Sequence, residues 1–546
     1  MGSQGLMRRL LLPAALLAAL ACAASASSAT LFVVKGKGWG HGVGMSQWGA
    51  YGLARGYAVD HHYSWQQIIA HYFHNTTTAK RSGRVSVLLV GSNGSVTIGS
   101  DFRVEAGTRS VQHSGDSKVS KTSSGRIKVS GIERTFASPA TFSPTAGHLH
   151  LGSRHYRGKF IVTAVGGGVR VVNRLPVDGY VRGVVTNESP SSWGDVGAQA
   201  ALEAQAVAAR SYALWTVAHG GGKCAGSLCP DTRDQVYNGF DSETANGRAA
   251  VSATAGKVVL SGGSVAETFF SSSSGGRTAA SVDTWGGNLD YLESSPDPAD
   301  LNPSNPNRAW RMLLTPTELG NRLGTRNPSD AVVASRASGR VKAMSVSGRT
   351  WSEAVNGGPE HFRAVMRARS SRFWVGVQSL NTDVHRSKCK LPVHLTVFAH
   401  GVGAITFEQR KVTSTTWTKV ALKKVDAKHW KTTRVPCTSM EYRVRSRDAA
   451  GPRVHVDVAP NIAFDARQHA GALTGKVNPL LPGQTVTIQR KTSSGWKAVA
   501  STTIQGDGGF KAVFDVKQAT YRAKVVPPAS TGLVRGFSPP LQVQFG

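Results

Sequence analysis

Long hydrophobic runs are missing from this 546-residue sequence, with one exception near its N-terminus. Residues 10–21 are apolar but too few and too rich in Ala for a membrane span, and no later segment approaches 18 apolar residues. We therefore expect a protein that is not integral to a membrane. Arg8 and Arg9 before the run and "ASA" after it predict a signal peptide over residues 1–26 and a secreted product. Cys22 offers lipoprotein processing as an alternative, disfavoured by Ala19 where such signals carry Leu.

Acidic residues are scarce: 32 Asp and Glu stand against 64 Lys and Arg, giving a formal net charge of +32. In an intracellular protein this balance would suggest nucleic acid. The signal peptide and the lack of any recognised nucleic-acid motif argue against that class. Outside the cell, the corresponding polyanions are wall polymers of the teichoic type, acidic glycans and lipid head groups. A basic surface that only aids solubility is the alternative.

Cysteines are few, and after the leader only four remain, at positions 224, 229, 389 and 437. An even number in an exported protein favours disulfides. The spacing predicts the pairs Cys224–Cys229 and Cys389–Cys437.

The chain from about residue 388 onward contains an internal repeat. "ITFEQRKVTSTTWTKVA" at 405–421 matches "VTIQRKTSSGWKAVA" at 486–500, and "YRVR" at 442 matches "YRAK" at 521. Short strand-like runs separated by Gly, Ser and Pro predict two β-sandwich modules of the immunoglobulin-like kind, at 388–455 and 456–546. Many Lys and Arg residues of the first copy make wall anchoring a candidate role, with simple spacing as the alternative.

For the region before the repeats, the sequence predicts one α+β domain over residues 30–380. Residues 85–185 are rich in strand-like segments, and 196–218 predict one long helix of Ala, Leu, Val and aromatic residues that is buried on most sides. Strands with a single buried helix do not form a βαβ series.

Glu188 is the first candidate for chemistry. We expect a strand ending at Val184 and Val185, with Ser189 as helix N-cap and Pro190 in the first turn. A carboxyl there beside an aromatic side chain suits general acid/base work. A helix N-terminus would stabilise the ionised form, so burial has to prevail for the pKa to rise. The alternative is that Glu188 only caps the helix.

Further polar groups stand in the long helix and in two turn segments. Arg210, buried in an Ala-rich helix, needs an acceptor, which could be Glu188, a backbone carbonyl or a bound sugar. "DQVYNGF" and "FFSSSSGGRT" predict turns that expose polar groups, among them Ser273 and Ser274. The sequence does not favour a serine nucleophile, because it has no GxSxG motif and no histidine at a spacing typical of a catalytic Ser–His pair.

The series "RLPVDGYVRGVVTNESPSSW", "ALEAQAVAARSYAL", "DQVYNGF", "ETFFSSSSGGRT" and "DTWGG" resembles the stage II sporulation protein D family, which includes the amidase-enhancer LytB-like proteins. With "GWGHGVGMSQWGAYGLA", the resemblance covers most of residues 30–380. It implies a peptidoglycan lytic transglycosylase that cleaves peptide-stripped MurNAc–GlcNAc strands, with Glu188 as the catalytic acid/base. Arg210, Gln235, Ser273 and Ser274 would bind sugar or orient the acid. The alternative is a non-catalytic wall-binding protein or one that assists a wall amidase.

The chain departs from that family in two places. The glycine/histidine signature follows the catalytic segment in the family but precedes it here, as in a circular permutation. Some members bind zinc through one His and two Cys, and here His219, Cys224 and Cys229 are present, but Asp234 stands where a further Cys is expected. We favour the Cys224–Cys229 disulfide over zinc and expect no cofactor.

The signature itself has glycine at 36, 38, 40, 42 and 44. Alternation at period 2 predicts an extended segment whose glycine side lets another backbone or a sugar ring come close. We expect it to form a wall of the Glu188 cleft, with Trp39 and Gln47 as sugar contacts and His41 as a supporting or binding group.

Overall fold

The computed structural model describes residues 29–352, 359–465 and 471–544. The predicted signal peptide lies outside the described residues. The described chain is strand-rich with few helices, which is compatible with the predicted α+β domain and β-sandwich modules. None of its helices has the length and hydrophobicity needed to cross a bilayer.

The chain divides into two compact units. Among the described residues, one unit lies within Val34–Met312 and Thr317–Val375, and the other comprises residues 29–33, Leu313–Pro316 and the chain from Gly376 onward. The strands Ala29–Gly36, Trp310–Leu314 and Phe373–Thr382 each contain a unit boundary. The exact predicted domain limits stay predictions.

In its described residues, the first unit contains two large antiparallel sheets and three small ones. The six-stranded sheet has the order Arg84–Asn93, Gly168–Pro176, Lys159–Val165, Ala140–Pro144, Phe102–Ala106, Arg109–His113. The five-stranded sheet has the order Arg154–Tyr156, Leu149–Leu151, Ser95–Gly99, Ser117–Lys121, Ile127–Val129. Alternating buried and less buried residues, as in Phe102–Ala106 of the six-stranded sheet and Ser117–Lys121 of the five-stranded one, show that each large sheet buries one face.

The small sheets of the first unit bring distant segments together. They are Ser264–Val265 with Lys257–Ser261 and Thr77–Lys80; Ala331–Ala337 with Arg340–Val346 and Arg349–Ser352; and the parallel pair Phe270–Ser271 with Met45–Ser46. The last pair joins the signature segment to the "FFSSSSGG" segment more than 200 residues later.

The helix Gln199–Ala218 is the long element that the sequence predicts over 196–218. It is buried on most sides because its Ala-rich surface lets neighbouring helices pack closely. The other helices are short: Gln47–Ala54, Trp65–Tyr72, Val177–Arg182, Val185–Glu188, Ser192–Asp195, Ala245–Ala253, Ser281–Trp285, Pro316–Leu323 and Pro359–Val365, with 3₁₀ turns at Phe240–Ser242, Pro298–Leu301 and Ala529–Thr531.

The second unit contains two successive pairs of sheets. In the first pair, Phe373–Thr382, Val393–His400, His429–Arg434 and Lys423–Lys424 lie in one sheet, and Arg386–Lys388, Ala450–Ala459, Met440–Ser446, Ile405–Lys411 and Thr418–Val420 form the other. Both sheets contribute to one core, for example through Leu395 and Tyr442. In the second pair, Asn461–Asp465, Ala472–Asn478 and Gly509–Val513 form one sheet, and Gly495–Thr503, Thr485–Thr492, Ala519–Val525, Gly536–Phe537 and Leu541–Val543 the other.

The disulfide Cys389–Cys437 lies in the second unit, where Cys389 is fully buried among core residues of the second sheet pair such as Ile462. The sequence placed this bond within the first module. The structure has it where the first module adjoins the second.

Candidate active site

The segment that leads to Glu188 is helical, so the predicted strand at Val184 and Val185 is wrong. The strand Gly168–Pro176 ends earlier, and the chain continues through the helices Val177–Arg182 and Val185–Glu188. Val184 and Val185 are fully buried, and a short apolar run does not distinguish a buried strand from a buried helical turn.

Ser189 follows the helix that ends at Glu188 and is its C-cap, so the predicted N-cap role of Ser189 is also wrong. Its hydroxyl is directed at the Gln205 Oε1 atom, at 3.5 Å. Glu188 therefore stands at the C-terminal end of a helix. The predicted stabilisation of its ionised form by a helix N-terminus, which would oppose a raised pKa, is thereby reduced.

The carboxyl of Glu188 is largely buried and has two different oxygens. The Val236 backbone N–H donates to Oε1 at 2.7 Å, and Gln47 Nε2 lies 3.5 Å from Oε2. Burial raises the pKa of Glu188 above its ordinary value, against the two hydrogen bonds, which lower it. Because Oε1 accepts the short bond, Oε2 is the oxygen better placed to carry a proton.

Two cavities meet at Glu188, and both are lined by Gln47, Glu188 and Ser272. One has a volume of about 310 Å³ and is bordered by Trp48, Asn187 and Trp193. The other has a volume of about 520 Å³ and is bordered by Trp39, His41, Tyr212, Asp234, Phe269 and Trp285, among others. Glu188 thus lines both cavities, and we call the two together the cleft.

Indole rings are unusually exposed in the larger cavity. Trp39 is 50% exposed and Trp285 is 46% exposed. Arg369 lies over the Trp39 ring at 5.3 Å, and Phe269 supports Trp285 at a centroid distance of 4.4 Å. Flat apolar rings held in this way offer surfaces to the C–H faces of a sugar ring.

His41 lies in the same cavity with its ring 5.3 Å from the Trp285 ring. Its Nδ1 accepts the Val43 backbone N–H at 3.0 Å. The surrounding protein, and then the cations Arg340 and Arg363, lower the pKa of His41 to about 3. The imidazole is therefore neutral at ordinary pH and serves as a fixed polar wall group instead of a proton carrier.

The signature segment is not the extended strand that its alternation predicts. Gly38, Gly40, Gly42 and Gly44 all have positive φ, so the backbone curls between bridges instead of pleating. The predicted close approach is present: a Cβ on Gly38 would lie 2.6 Å from the Ser273 carbonyl oxygen. Ser46 then caps the helix Gln47–Ala54, which brings Gln47 to Glu188.

Arg210 lies behind the cleft, with no exposed surface. Its Nε donates to Asp178 Oδ1 at 2.6 Å and its Nη1 to the Lys257 carbonyl at 2.8 Å. The sequence left three acceptors open for Arg210: Glu188, a backbone carbonyl or a bound sugar. In the structure Arg210 donates to a backbone carbonyl and to Asp178, and it contacts neither Glu188 nor the cleft. Arg210 thus ties the long helix to the helix Val177–Arg182.

Gln235, Ser273 and Ser274 are likewise buried. Gln235 donates to the Ala209 carbonyl at 3.2 Å. The hydroxyls of Ser273 and Ser274 donate to the carboxylates of Asp300 and Asp297, at 2.9 and 2.8 Å. These side chains support the cleft wall from behind, and direct sugar contact through them does not fit their burial.

Asp297 and Asp300 hold the cleft wall in place from behind, and the sequence did not predict this role. Asp300 also accepts from the Ser46 hydroxyl at 2.7 Å, and Asp297 from the Tyr72 hydroxyl at 3.1 Å, so the pair joins the signature to the "SSSSGG" turn. Burial and the neighbouring Asp300 raise the pKa of Asp297 to about 7. Two carboxyls in "PDPAD", in a chain poor in acids, were a usable signal.

The structure joins Cys224 and Cys229 in a disulfide, and Lys223, the residue before Cys224, lines the larger cavity. Asp234 is fixed beside it, accepting the Cys229 backbone N–H and the Tyr212 hydroxyl, both at 2.8 Å. His219 stacks on Trp215. With both thiols oxidised, this set does not fit a zinc site, and no group of three His, Cys, Asp or Glu side chains in the described part of the chain is arranged to hold a metal.

Comparison with known proteins finds a family match for the central segment of the chain. Residues 165–260 match the family model SpoIID, described as stage II sporulation protein. The predicted SpoIID/LytB resemblance is confirmed. The SpoIID segment includes Glu188, Arg210 and Gln235, whereas the signature and the serines 273 and 274 lie outside it.

Two relatives from Bacillus subtilis (strain 168) illustrate the similarity. An "Amidase enhancer" is 32% identical over 206 residues, which is 36% of this chain and 26% of that protein. "Stage II sporulation protein D" is 26% identical over 246 residues, which is 42% of this chain and 67% of that protein. The chain therefore spans about a quarter of the amidase enhancer's length.

Among solved structures, a DUF4785 family protein from Legionella pneumophila aligns with 31% of this chain and 59% of its own chain, with 8% identity and a TM-score of 0.21. A similarity of this size carries no argument.

Proposed function

We propose that this protein is a secreted, cell-wall-associated lytic transglycosylase that cleaves MurNAc–GlcNAc strands of peptidoglycan. The observation that carries the proposal is Glu188, a largely buried carboxyl that lines both cavities, with a raised pKa and one oxygen, Oε2, that has only the long contact to Gln47. The SpoIID match and the relatives' names support a function connected with the cell wall.

In the proposed mechanism Glu188 acts twice. Its protonated Oε2 gives a proton to the glycosidic oxygen as the bond to the anomeric carbon breaks. The resulting carboxylate then takes the proton of the C6 hydroxyl of the MurNAc unit, whose oxygen closes a 1,6-anhydro ring on the anomeric carbon. No water is consumed, so no second carboxylate is needed for activation, unlike the two-carboxylate hydrolases.

The cleft supports this single-carboxyl scheme. Asp234 is the other carboxyl among the described residues that line the two cavities, and hydrogen bonds from Tyr212 and Cys229 occupy both of its oxygens. The exposed indoles of Trp39 and Trp285 would stack on sugar rings on one side of Glu188, and Trp193 would border the other side. Peptide-stripped strands are the proposed substrate because the resemblance implies them.

The deciding experiment incubates the full protein with peptide-stripped glycan strands and searches the products for 1,6-anhydro-MurNAc ends by mass spectrometry. We expect these ends from the unchanged protein and a loss of about 100-fold or more with Glu188→Gln. Glu203→Gln is the matched control, since this glutamate of the long helix is also partly buried but lies outside the cleft. Reducing ends without the anhydro ring would indicate hydrolysis, and equal turnover by Glu188→Gln would refute the assigned role.

A second candidate is a non-catalytic role in assisting a wall amidase, which the name of the "Amidase enhancer" relative favours. In that case Glu188→Gln would stimulate a purified wall amidase as well as the unchanged protein does, and neither would release anhydro ends.

The C-terminal repeats are proposed to be immunoglobulin-like β-sandwich modules that hold the enzyme on anionic wall polymers. The two sheet pairs, each around its own core, support the sandwich interpretation. The charge supports the partner: residues 461–544 contain three Asp, at 465, 507 and 515, and no Glu. Simple spacing is the alternative, and it predicts salt-independent wall association.

A further inference from the structure

An aromatic and cationic cluster lies on one sheet of the second module. The guanidinium of Arg522 is 4.3 Å from the ring centroid of Trp496 and 4.2 Å from that of Phe537, and Arg535 lies 5.4 Å from the same Phe537 ring. We call Trp496, Arg522, Phe537 and Arg535 the second-module cluster. Two cations therefore share one phenyl ring.

No acidic residue of this sheet balances those charges. The strands Thr485–Thr492, Gly495–Thr503, Ala519–Val525, Gly536–Phe537 and Leu541–Val543 contain no Asp or Glu. The Nε–H of Arg522 donates to the neutral Gln489 Oε1 at 2.8 Å. Lys491 and Lys524 lie opposite Trp496 and Phe537 in the strand register and add further positive charge.

The first module contains a related Trp–Arg cluster in which glutamates pair with two of the arginines. Arg443 lies 3.9 Å from the Trp417 ring and donates to Glu408 Oε2 at 2.6 Å. Arg410 and Arg453 also lie over the Trp417 ring, at 4.9 and 5.7 Å, and Arg410 is paired with Glu441. Cross-strand partners define the equivalence: Glu408 is opposite Arg443, and Gln489 is opposite Arg522. One chain thus holds one Trp–Arg pair whose cross-strand partner is a carboxylate and one whose partner is a neutral amide.

The arrangement of the second module suits an oxyanion. A guanidinium stacked between rings keeps a fixed plane, and the N–H groups at its edge remain available for two parallel bonds to a phosphate or a carboxylate. Burial and the like charge of Arg535 lower the pKa of Arg522, which is the cost of holding the two cations together. A bound anion would relieve that repulsion.

We propose that the second-module cluster is the binding site for an anionic polymer whose repeating oxyanions are phosphate diesters or carboxylates. This inference rests on the proposed wall-binding role and names the residues that carry it. The rings fix the position of the guanidiniums, and Lys491 and Lys524 extend the positive surface toward neighbouring anions of the polymer.

The test measures the affinity of the full protein for immobilised poly(glycerol phosphate) and polygalacturonate, with dextran as the neutral probe, at one ionic strength. Gln489→Glu copies the first module's ion pair and should weaken binding at least tenfold. Glu408→Gln gives Arg443 of the first module a neutral amide partner, like that of Arg522 in the second module. This substitution should strengthen binding several-fold. Preference for one polymer identifies the anion, and either preference supports the site.

Lys476→Gln is the matched control for Gln489→Glu, because it removes one positive charge from the other sheet of the same module. We expect less than a twofold change. If this control weakens binding as much as Gln489→Glu does, binding follows overall charge and the site is wrong, although the wall-binding role survives. If no variant changes binding, or dextran binds equally, the proposal is also overturned.

Folding and catalysis are measured on the same samples. Lys491→Gln, at an exposed position, should weaken binding without changing the thermal midpoint, so a fold defect in Gln489→Glu does not leave the question open. Release of anhydro ends should be unchanged in every variant on glycan strands in solution. If the unchanged protein releases no anhydro ends at all, that result would contradict the proposed catalysis but would not bear against this binding site.

Discussion

At the scale of single residues, the electrostatics of Glu188 depend on the balance between burial and two hydrogen bonds. Burial raises its pKa, while Val236 and Gln47 lower it. An acid catalyst must be protonated, so activity is expected at pH values below that raised pKa and should fall as the pH rises through it. Gln47 acts through Glu188 and is therefore a positioning residue.

Gln47→Leu removes one of the two hydrogen bonds that lower the pKa of Glu188. The pKa should rise further, so the alkaline limb of the pH profile of kcat/KM should move to higher pH, while kcat falls by about two- to tenfold as the carboxyl loses a contact. Rates of anhydro-end release across pH measure both effects. Gln112→Leu, at an exposed position in the strand Arg109–His113, is the control. An unchanged pH profile would show that Gln47 does not influence the acid.

The sequence identified Glu188 and Gln47 as residues to examine but misjudged Arg210. An arginine in an Ala-rich helix must have an acceptor, and the sequence listed plausible ones without Asp178. The partner comes from the helix Val177–Arg182, which lies in a segment where the sequence predicts a strand ending at Val184 and Val185. Side-chain pairing between elements depends on their relative orientation, which local spacing does not contain.

At the scale of elements, the signature segment depends on positive φ at alternate glycines. Gly38 has φ of 84° and faces the Ser273 carbonyl, so a side chain meets both backbone strain and a clash. Gly107, with φ of 59° and open space around it, meets only the strain.

Gly38→Ala should therefore destabilise the protein by more than Gly107→Ala, which should cost about 1–2 kcal/mol. Urea unfolding monitored by circular dichroism measures both. Gly38→Ala should also lower turnover, because the segment positions Gln47. Equal destabilisation by the two substitutions would mean that the segment moves away from the Ser273 carbonyl at little cost.

The Asp297 and Asp300 pair links the same segment to the "SSSSGG" turn and makes stability depend on pH. The pKa of Asp297 is raised to about 7 in the folded protein from 3.8. Between these values the folded state holds a proton that the unfolded state has lost, so this group's contribution to stability falls as the pH rises through the window.

Asp297→Asn should flatten the dependence of the thermal midpoint on pH between about 4 and 7, because asparagine resembles the protonated acid and does not titrate. Thermal unfolding at several pH values checks this, with the exposed Asp101→Asn as control. A profile as steep as that of the unchanged protein would assign the pH dependence to other groups.

At the scale of the whole molecule, the two disulfides lie in different units. Cys389–Cys437 closes a long loop in the second unit, and Cys224–Cys229 closes a short one in the first unit. Their removal should have separable effects, since loop-closure entropy grows with loop length.

Replacing Cys389 and Cys437 by Ala should lower stability by about 4 kcal/mol and leave the cleavage of glycan strands in solution unchanged. Replacing Cys224 and Cys229 should cost less stability but lower turnover, because Asp234 and the cavity rim lose their anchor. Calorimetry and product release measure the two effects. Loss of cleavage after the first replacement would show that the units do not act independently.

Sequence alone determined the features that short segments encode: the basic charge, the long buried helix near 196–218, the repeated module and the SpoIID resemblance with Glu188 at its centre. Tertiary structure decided which side chains meet. The inward placement of Arg210, Ser273 and Ser274 and the support from Asp297 and Asp300 arise from contacts between residues far apart in sequence. Burial and pairing are properties of those contacts, and they decide whether a polar residue faces the cleft or supports it from behind.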